Sequence, residues 1–253
     1  MAHFPPAGAT VKALHLQWRS AGRTQRGEAR ARNEDAFLDC PQNGCWAVAD
    51  GMGGHRDGDV ASQWVISSLA SLAVEGSLDQ RVKAAQQRLQ SVNQRLGSAT
   101  ARSTASADVT MGSTVVALLL EEGRAACVWA GDSRCYLWRR QRLYQLSRDH
   151  SLLQCLMAEH RLSLAQAQAH PDARALTRAI GARTSLRLER LELNTQPGDV
   201  FLLCSDGLYQ ALSHQQLGRA LSEGTPQQVV ERLFAMVLRT PARDDLTAVV
   251  VQP

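Results

Sequence analysis

Four acidic positions share one setting. Asp50 closes the apolar run from Cys45 to Ala49 and precedes Gly51. Asp206 closes the run from Val200 to Ser205 and precedes Gly207. Asp244-Asp245 stands directly before the apolar run that begins at Leu246, and Glu34-Asp35 before Ala36-Phe37. Carboxylates at strand ends can converge on one edge of a sheet, where several together repel one another and require a cation. Hard divalent cations take oxygen ligands, and Mg²⁺ or Mn²⁺ suits an Asp-rich cluster that keeps some water. Glycine after Asp lets the backbone approach closely, which makes the Gly51 carbonyl a further candidate ligand. A single Asp-Gly is an ordinary turn signal. Its recurrence after apolar runs, beside two further acidic pairs, is what points to a metal centre.

Such carboxylates need strands to hold them. A strand is expected at Leu14 to Trp18, then a polar, Arg-rich connection to Asp35. The run Cys45 to Ala49 is strand-like and ends in Asp50-Gly51-Met52-Gly53-Gly54-His55, expected to be a glycine loop. Val60, Trp64, Leu69 and Leu72 fit one helix face, and Val82, Ala85, Leu89, Val92 and Leu96 step at helical period. Gly97 to Thr110 is polar and small and is expected to be a loop. Strands follow at Ser113 to Leu120, Ala125 to Ala130, Arg134 to Trp138 and Leu143 to Leu146, with turns short enough for antiparallel pairing. Residues 147–181 are Gln-, Ala- and His-rich and are expected to form an inserted helical flap broken at Pro171. Further strands are expected at Leu186 to Leu193, Val200 to Ser205 and Leu246 to Val251. Helices are expected at His214 to Leu221 and Pro226 to Leu238, with Pro226 in the first turn. Hairpins of strands with helices in pairs imply an α+β layered sandwich rather than βαβ units. One domain is expected over residues 13–253, after a loose leader at 1–12.

Composition excludes several classes. The 253 residues are 44% hydrophobic and 21% charged, too apolar for a disordered chain. No apolar run reaches the ~18 residues of a membrane helix, and the N-terminus lacks a signal-peptide pattern. A cytoplasmic location without membrane attachment is the expectation. Net charge is a mild +4, and only Lys12 and Lys83 among the 28 basic residues are lysine. No basic block with interleaved aromatics marks a nucleic-acid binder. The six cysteines include no C-x-x-C pair and read as small buried hydrophobes. Cys155 and Arg161 have the spacing of a thiol phosphatase, but the intervening residues carry no glycine and read as helix, so no cradle would form. Asp57-Gly58-Asp59 reads as a turn and helix cap, the five tryptophans as core, and His150, His160 and His170 as unrelated flap residues.

The sequence resembles the metal-dependent protein phosphatase family of the 2C type, in its bacterial form. The matching pieces, in family order, are Arg30-x-x-Asn33-Glu34-Asp35, Asp50-Gly51-Met52-Gly53-Gly54-His55, Met111-Gly112-Ser113-Thr114, Gly131-Asp132-Ser133-Arg134, Ser205-Asp206-Gly207-Leu208 and Arg243-Asp244-Asp245-Leu246-Thr247. They span residues 30 to 247. The resemblance implies a four-layer αββα sandwich, two antiparallel sheets between helix pairs, and two or three Mn²⁺ or Mg²⁺ ions per chain. Asp50 would bridge two ions, Asp206 and Asp244 would complete the first site, and Glu34 with the Gly51 carbonyl the second. Asp108 resembles the ligand of a third. Arg30 matches the residue that clamps the substrate phosphate, and His55 a histidine near the site. Asp35, Asp132 and Asp245 would stand behind the ligands. The family usually has Asp-Asn where this chain has Asp244-Asp245.

The implied activity is hydrolysis of phosphoserine and phosphothreonine esters by direct attack of a water activated between two metals. Arg30 would bind the phosphoryl oxygens through its fork, and His55 or a metal-bound water would protonate the leaving group. Phosphoproteins, targets of a cognate serine/threonine kinase, are the implied substrates, and a monomer the expected state. Two rivals are a phosphoprotein-binding pseudophosphatase, which loss of a ligand would betray, and a two-metal phosphoesterase for non-protein substrates.

Overall fold

The computed structural model describes residues 18–53, 57–102, 111–239 and 242–253. The elements, in chain order, are β1 (Arg19–Gln25), β2 (Asp35–Cys40), β3 (Cys45–Met52), α1 (Gly58–Ala70), α2 (Leu78–Arg102), β4 (Gly112–Ser113), β5 (Val115–Glu121), β6 (Arg124–Ala130), β7 (Arg134–Arg139), β8 (Arg142–Gln145), α3 (Leu152–Glu159), α4 (Leu164–Gln168), β9 (Glu189–Asn194), β10 (Val200–Cys204), α5 (Asp206–Ala211), α6 (His214–Leu221), α7 (Pro226–Val237) and β11 (Leu246–Gln252).

Two sheets form, antiparallel at every pairing. One has the order β1-β11-β10-β7-β8, the other β2-β3-β5-β6-β9, with β4 paired to β3. Their facing sides enclose Trp46, Val116, Leu118, Cys127, Phe201, Leu203 and Val249. Helices α1 and α2 cover the outer face of the second sheet, where Val82, Ala85, Leu89, Val92 and Leu96 are buried on one stripe. Helices α5, α6 and α7 cover the outer face of the first. This is the expected α+β sandwich of four layers, αββα, with a trio of helices in place of one pair. A strand such as β5, buried over six consecutive residues, needs a layer on both faces and gets one.

Helix starts are written locally. Ser213 and Thr225 head capping boxes with Gln216 and Gln228, and Pro226 occupies the first turn of α7, where its missing N–H costs nothing.

Several expectations need correction. The strand expected at Leu14 to Trp18 falls largely outside the described residues. The Arg-rich stretch after it is itself strand β1, paired over seven residues with β11. Arg23 of β1 lays its guanidinium 4.4 Å over the Phe234 ring. Helix α2 runs on through Gly97 to Arg102, with Leu96 buried beneath it and Ser98 Oγ donating back to the Gln94 carbonyl at 2.8 Å. Strand β3 continues through Gly51 to Met52, so the expected glycine loop does not begin at Asp50; Gly54 and His55 lie outside the described residues. Helix α5 was not expected, and strand β9 begins only at Glu189. Cys155 and three tryptophans, Trp18, Trp64 and Trp138, are half-buried rather than core, whereas the other five cysteines are buried. Asp57 holds the N-cap position of α1 without a side-chain cap bond.

Candidate active site

The antiparallel register brings the acidic positions to one end of the sandwich. Asp50 lies near the end of β3, directly opposite Asp35 at the start of β2. Ser205 leaves β10 beside Thr247 near the start of β11, its N–H donating to the Thr247 carbonyl at 3.1 Å. Cys204 pairs with Arg134, which places Asp132 at the same end. Glu34, Asp35, Asp50, Asp132, Asp206, Asp244 and Asp245 therefore share one edge of the two sheets.

Each is held differently. Asp35 is buried, and one of its oxygens accepts from Ser205 Oγ at 2.7 Å and Thr247 Oγ1 at 2.6 Å. Those partners belong to the other sheet, so Asp35 joins the two. Its second oxygen is buried without a hydrogen-bond partner among the described residues. Asp50 is held through its backbone. Its N–H donates to Thr114 Oγ1 at 2.9 Å, and its carbonyl accepts from the Thr114 N–H at 2.8 Å and Ser113 Oγ at 3.1 Å. This leaves its carboxylate for the cleft.

The two Asp-Gly glycines are fixed by crowding rather than by turns. A Cβ on Gly51 would lie 1.9 Å from the Gly58 carbonyl oxygen, and one on Gly207 2.1 Å from the Asp245 carbonyl oxygen. No side chain fits at either place.

Asp244 and Asp245 separate by geometry. Asp245 is buried, and its carboxylate accepts from the Gly27 and Glu34 N–H groups, both at 2.8 Å. It clasps the segment that carries Arg30 and Glu34. Asp244 faces the cleft, where Arg30 grips it with Nε and Nη2 at 2.9 and 2.8 Å. Asp206 accepts from Gln210 Nε2 at 2.6 Å.

The electrostatics are those of crowded acids. Burial, then the charges of Asp35, Asp206, Asp132 and Asp244, push the Asp50 carboxyl well above its ordinary range. Burial first, with neighbouring carboxylates adding, raises Asp35 and Asp132 to about 7 and Asp206 to about 6. Burial also raises Glu34, against the pull of Arg30. A donor set made only of oxygens, whose members raise one another's pKa, fits a hard divalent cation. Among the described residues no three of these side chains are yet gathered around a common point. Asp244 and Asp206 are turned to Arg30 and Gln210 instead. His55 and Asp108 lie outside the described residues.

Within residues 147–181 the helices are α3 and α4, which part at residues 160–163 and end at Gln168, so the break is not at Pro171 as expected; the segment is tied down at both ends. Arg134 grips Asp149 through two nitrogens at 2.6 to 3.2 Å while stacking 3.5 Å over the Tyr209 ring. His150 accepts at Nδ1 from the Gly131 N–H at 3.2 Å, which places its own proton on Nε2, facing Glu189 at 3.1 Å. At the exit, Ile180 bridges to Ser113, and the Gly181 N–H donates to Asn93 Oδ1 at 2.7 Å. Cys155 and Arg161 lie on and just beyond α3, with no backbone cradle between them. Sequence reasoning missed Ser205, Thr247, Thr114 and Asn93 as working residues. The Ser and Thr positions lie inside the quoted motifs, but hydroxyls give no periodic signal.

Two facing antiparallel sheets with helices on their outer faces and carboxylates gathered along one shared edge define the class of layered metal-dependent phosphohydrolases. The sequence model of the family described as Protein phosphatase 2C matches residues 23–250. The chain belongs to that family. It is 35% identical over 240 residues to the serine/threonine protein phosphatase PstP of Mycobacterium tuberculosis, which covers 93% of this chain. The chain spans about half of that relative's length, 45%. Among solved structures, PppA, a key regulatory component of T6SS in Pseudomonas aeruginosa, superposes with a TM-score of 0.85 at 40% identity, covering 93% of this chain and 97% of that one. The catalytic domain of PstP in complex with two manganese ions superposes with a TM-score of 0.81 at 33% identity, covering 93% and 97%.

Proposed function

We propose that this chain is a metal-dependent serine/threonine protein phosphatase that hydrolyses phosphoserine and phosphothreonine esters of protein substrates. The observation that carries the reading is the convergence of Asp50, Asp206 and Asp244, with Glu34, on one sheet edge of a protein phosphatase 2C fold. Every ligand position matched in the sequence keeps its carboxylate, which disfavours a pseudophosphatase. Asp50, Asp206 and Asp244 would hold one Mn²⁺ or Mg²⁺, Asp50 with Glu34 and the Gly51 carbonyl a second, and Asp108 would contribute to a third. When bound, such ions supply an activated water and neutralise charge on the phosphoryl oxygens.

The chain's own residues do the rest. Arg30 releases Asp244 and turns its fork to two phosphoryl oxygens, a planar match between guanidinium and phosphate. Asp245 keeps the backbone under Arg30 and Glu34 in place while that side chain moves. Asp35, through Ser205 and Thr247, keeps the two sheet edges in place behind the ligands, with Asp132 at the same end, and His55 is assigned to proton delivery to the departing serine or threonine oxygen. Attack by water forms one P–O bond as the ester P–O bond breaks, giving inorganic phosphate and the free hydroxyl. A monomeric phosphatase acting in the cytoplasm on phosphoproteins made by a cognate serine/threonine kinase completes the reading. No helix among the described residues is long and apolar enough to cross a membrane.

The test is phosphate release from a phosphothreonine peptide with Mn²⁺, with EDTA, and with the Asp206→Asn variant. Release that needs Mn²⁺ and drops in the folded variant supports the reading. Metal-independent release, or an unaffected variant, overturns it.

A further inference from the structure

Beyond the carboxylate edge, the segment that leaves the flap lines a groove of about 500 Å³ with Thr177, Arg178, Arg183, Thr184, Ser185 and Arg187. Arg178 is already committed, to Glu189 at 2.8 Å. Arg183 and Arg187 are exposed, and among the described residues neither has a carboxylate partner. Three hydroxyls beside them add hydrogen-bond donors suited to oxyanions.

The groove is built on a fixed support. Asn93 of α2, itself buried, donates from Nδ2 to the carbonyls of Arg183 and Thr184 at 2.9 and 3.3 Å and accepts the Gly181 N–H. Leu186 and Leu188 pack onto the core under α1 and α2, while Arg187 between them points outward. Two arginines are thus presented without acidic partners on a backbone that is already ordered.

The groove also has a defined place relative to the cleft. Gly51 pairs with Ser113, and Ser113 with Ile180. Two such spacings put Ile180 about 10 Å from Gly51, and Arg183 follows three residues later.

We propose that Arg183 and Arg187 form a docking site for acidic side chains of the substrate polypeptide, about three to six residues from the phosphorylated position. The spacing follows from ~3.3 Å per residue of extended peptide. This proposal rests on the phosphatase reading and adds substrate selection to it. Its physical basis is charge complementarity at an exposed rim, which shifts KM more than kcat and weakens with salt.

Two phosphothreonine peptides test it, one flanked on both sides by glutamates at those distances and one by alanines. Turnover is measured with wild type and the Arg183→Ala/Arg187→Ala variant, beside p-nitrophenyl phosphate. Peptide binding is measured separately by fluorescence anisotropy. The expected wild-type preference for the glutamate peptide is about five- to tenfold, carried by KM, from two exposed ion pairs. The variant should lose it and keep its rate on p-nitrophenyl phosphate. An equal preference in both proteins, or none in wild type, overturns the proposal. If no substrate is turned over under any metal condition while the anisotropy difference persists and vanishes in the variant, the phosphatase reading fails and the groove stands. If neither turnover nor differential binding is seen, both fall.

Discussion

The carboxylate edge and the arginine rim lie two backbone pairings apart, yet they handle charge in opposite ways. At the edge, like charges are sunk among strand ends, and each raises the pKa of its neighbours. At the rim, Arg183 and Arg187 stand in solvent, where salt screens them. A buried charge is fixed by what surrounds it and is costly to disturb. An exposed one is adjustable and cheap to change. Chemistry belongs at the first kind of place and selection among partners at the second.

The largest expected effect is at the edge. Asp50→Asn removes one carboxylate from the edge that the other acids share, and kcat should fall by on the order of 10²–10³-fold while circular dichroism stays that of the folded chain. Retained turnover would place the chemistry elsewhere and dissolve the contrast.

Next comes the residue behind Asp50. Asp35→Ala strips two buried hydroxyls, Ser205 and Thr247, of their acceptor and should cost roughly 1–3 kcal/mol of stability by chemical denaturation. Asp35→Asn keeps an acceptor and should cost less.

The acidic edge should also show in pH. Unfolded aspartates release their protons near pH ~4, whereas Asp206 holds its proton to about 6 and Asp35 and Asp132 to about 7. Between those limits the folded state binds more protons, so stability falls as pH rises. EDTA-treated protein should therefore melt higher at pH 5 than at pH 8, by about 2–4 °C for each kcal/mol. Mn²⁺ should shrink the difference, and Asp35→Asn should flatten it. A melting temperature that rises from pH 5 to pH 8 without metal would contradict this account of the edge.

The smallest effect belongs to the rim. Raising salt from about 50 to 500 mM should reduce the preference for a glutamate-flanked peptide severalfold and leave the rate on p-nitrophenyl phosphate nearly unchanged. Equal sensitivity of both substrates would mean that the rim and the cleft are not separate electrostatic regions.

The sequence was most readable where a signal is local. Asp50-Gly51 and Asp206-Gly207 mark strand ends within a few residues, and the helical period from Val82 to Leu96 is a property of one segment. Their glycines were read as letting the backbone approach closely, and the structure supplies the neighbours that require it, Gly58 for Gly51 and Asp245 for Gly207. Contacts between distant segments left no such trace. The partners of Asp35 are 170 and 212 positions away, and Arg30 meets Asp244 from 214 positions away. The pair Asp244-Asp245 illustrates the boundary. Composition alone marks an acidic site, the family resemblance names Asp244 as the ligand, and the fold adds that Asp245 clasps Gly27 and Glu34. Helix α2 passes Gly97 because the burial of Leu96 outweighs poor helical propensity there.

Asp35 carries one more consequence. Greasy faces slide over one another at little cost, so the apolar filling between the sheets does not by itself set their relative offset. A carboxylate from one sheet lodged between two hydroxyls of the other works as an alignment pin. It admits only the slack of a hydrogen bond, a few tenths of an ångström. Asp50 sits opposite that pin on one sheet, and Asp206 follows its socket, Ser205, on the other. The span between the two acids is therefore gauged by a residue that touches neither substrate nor solvent.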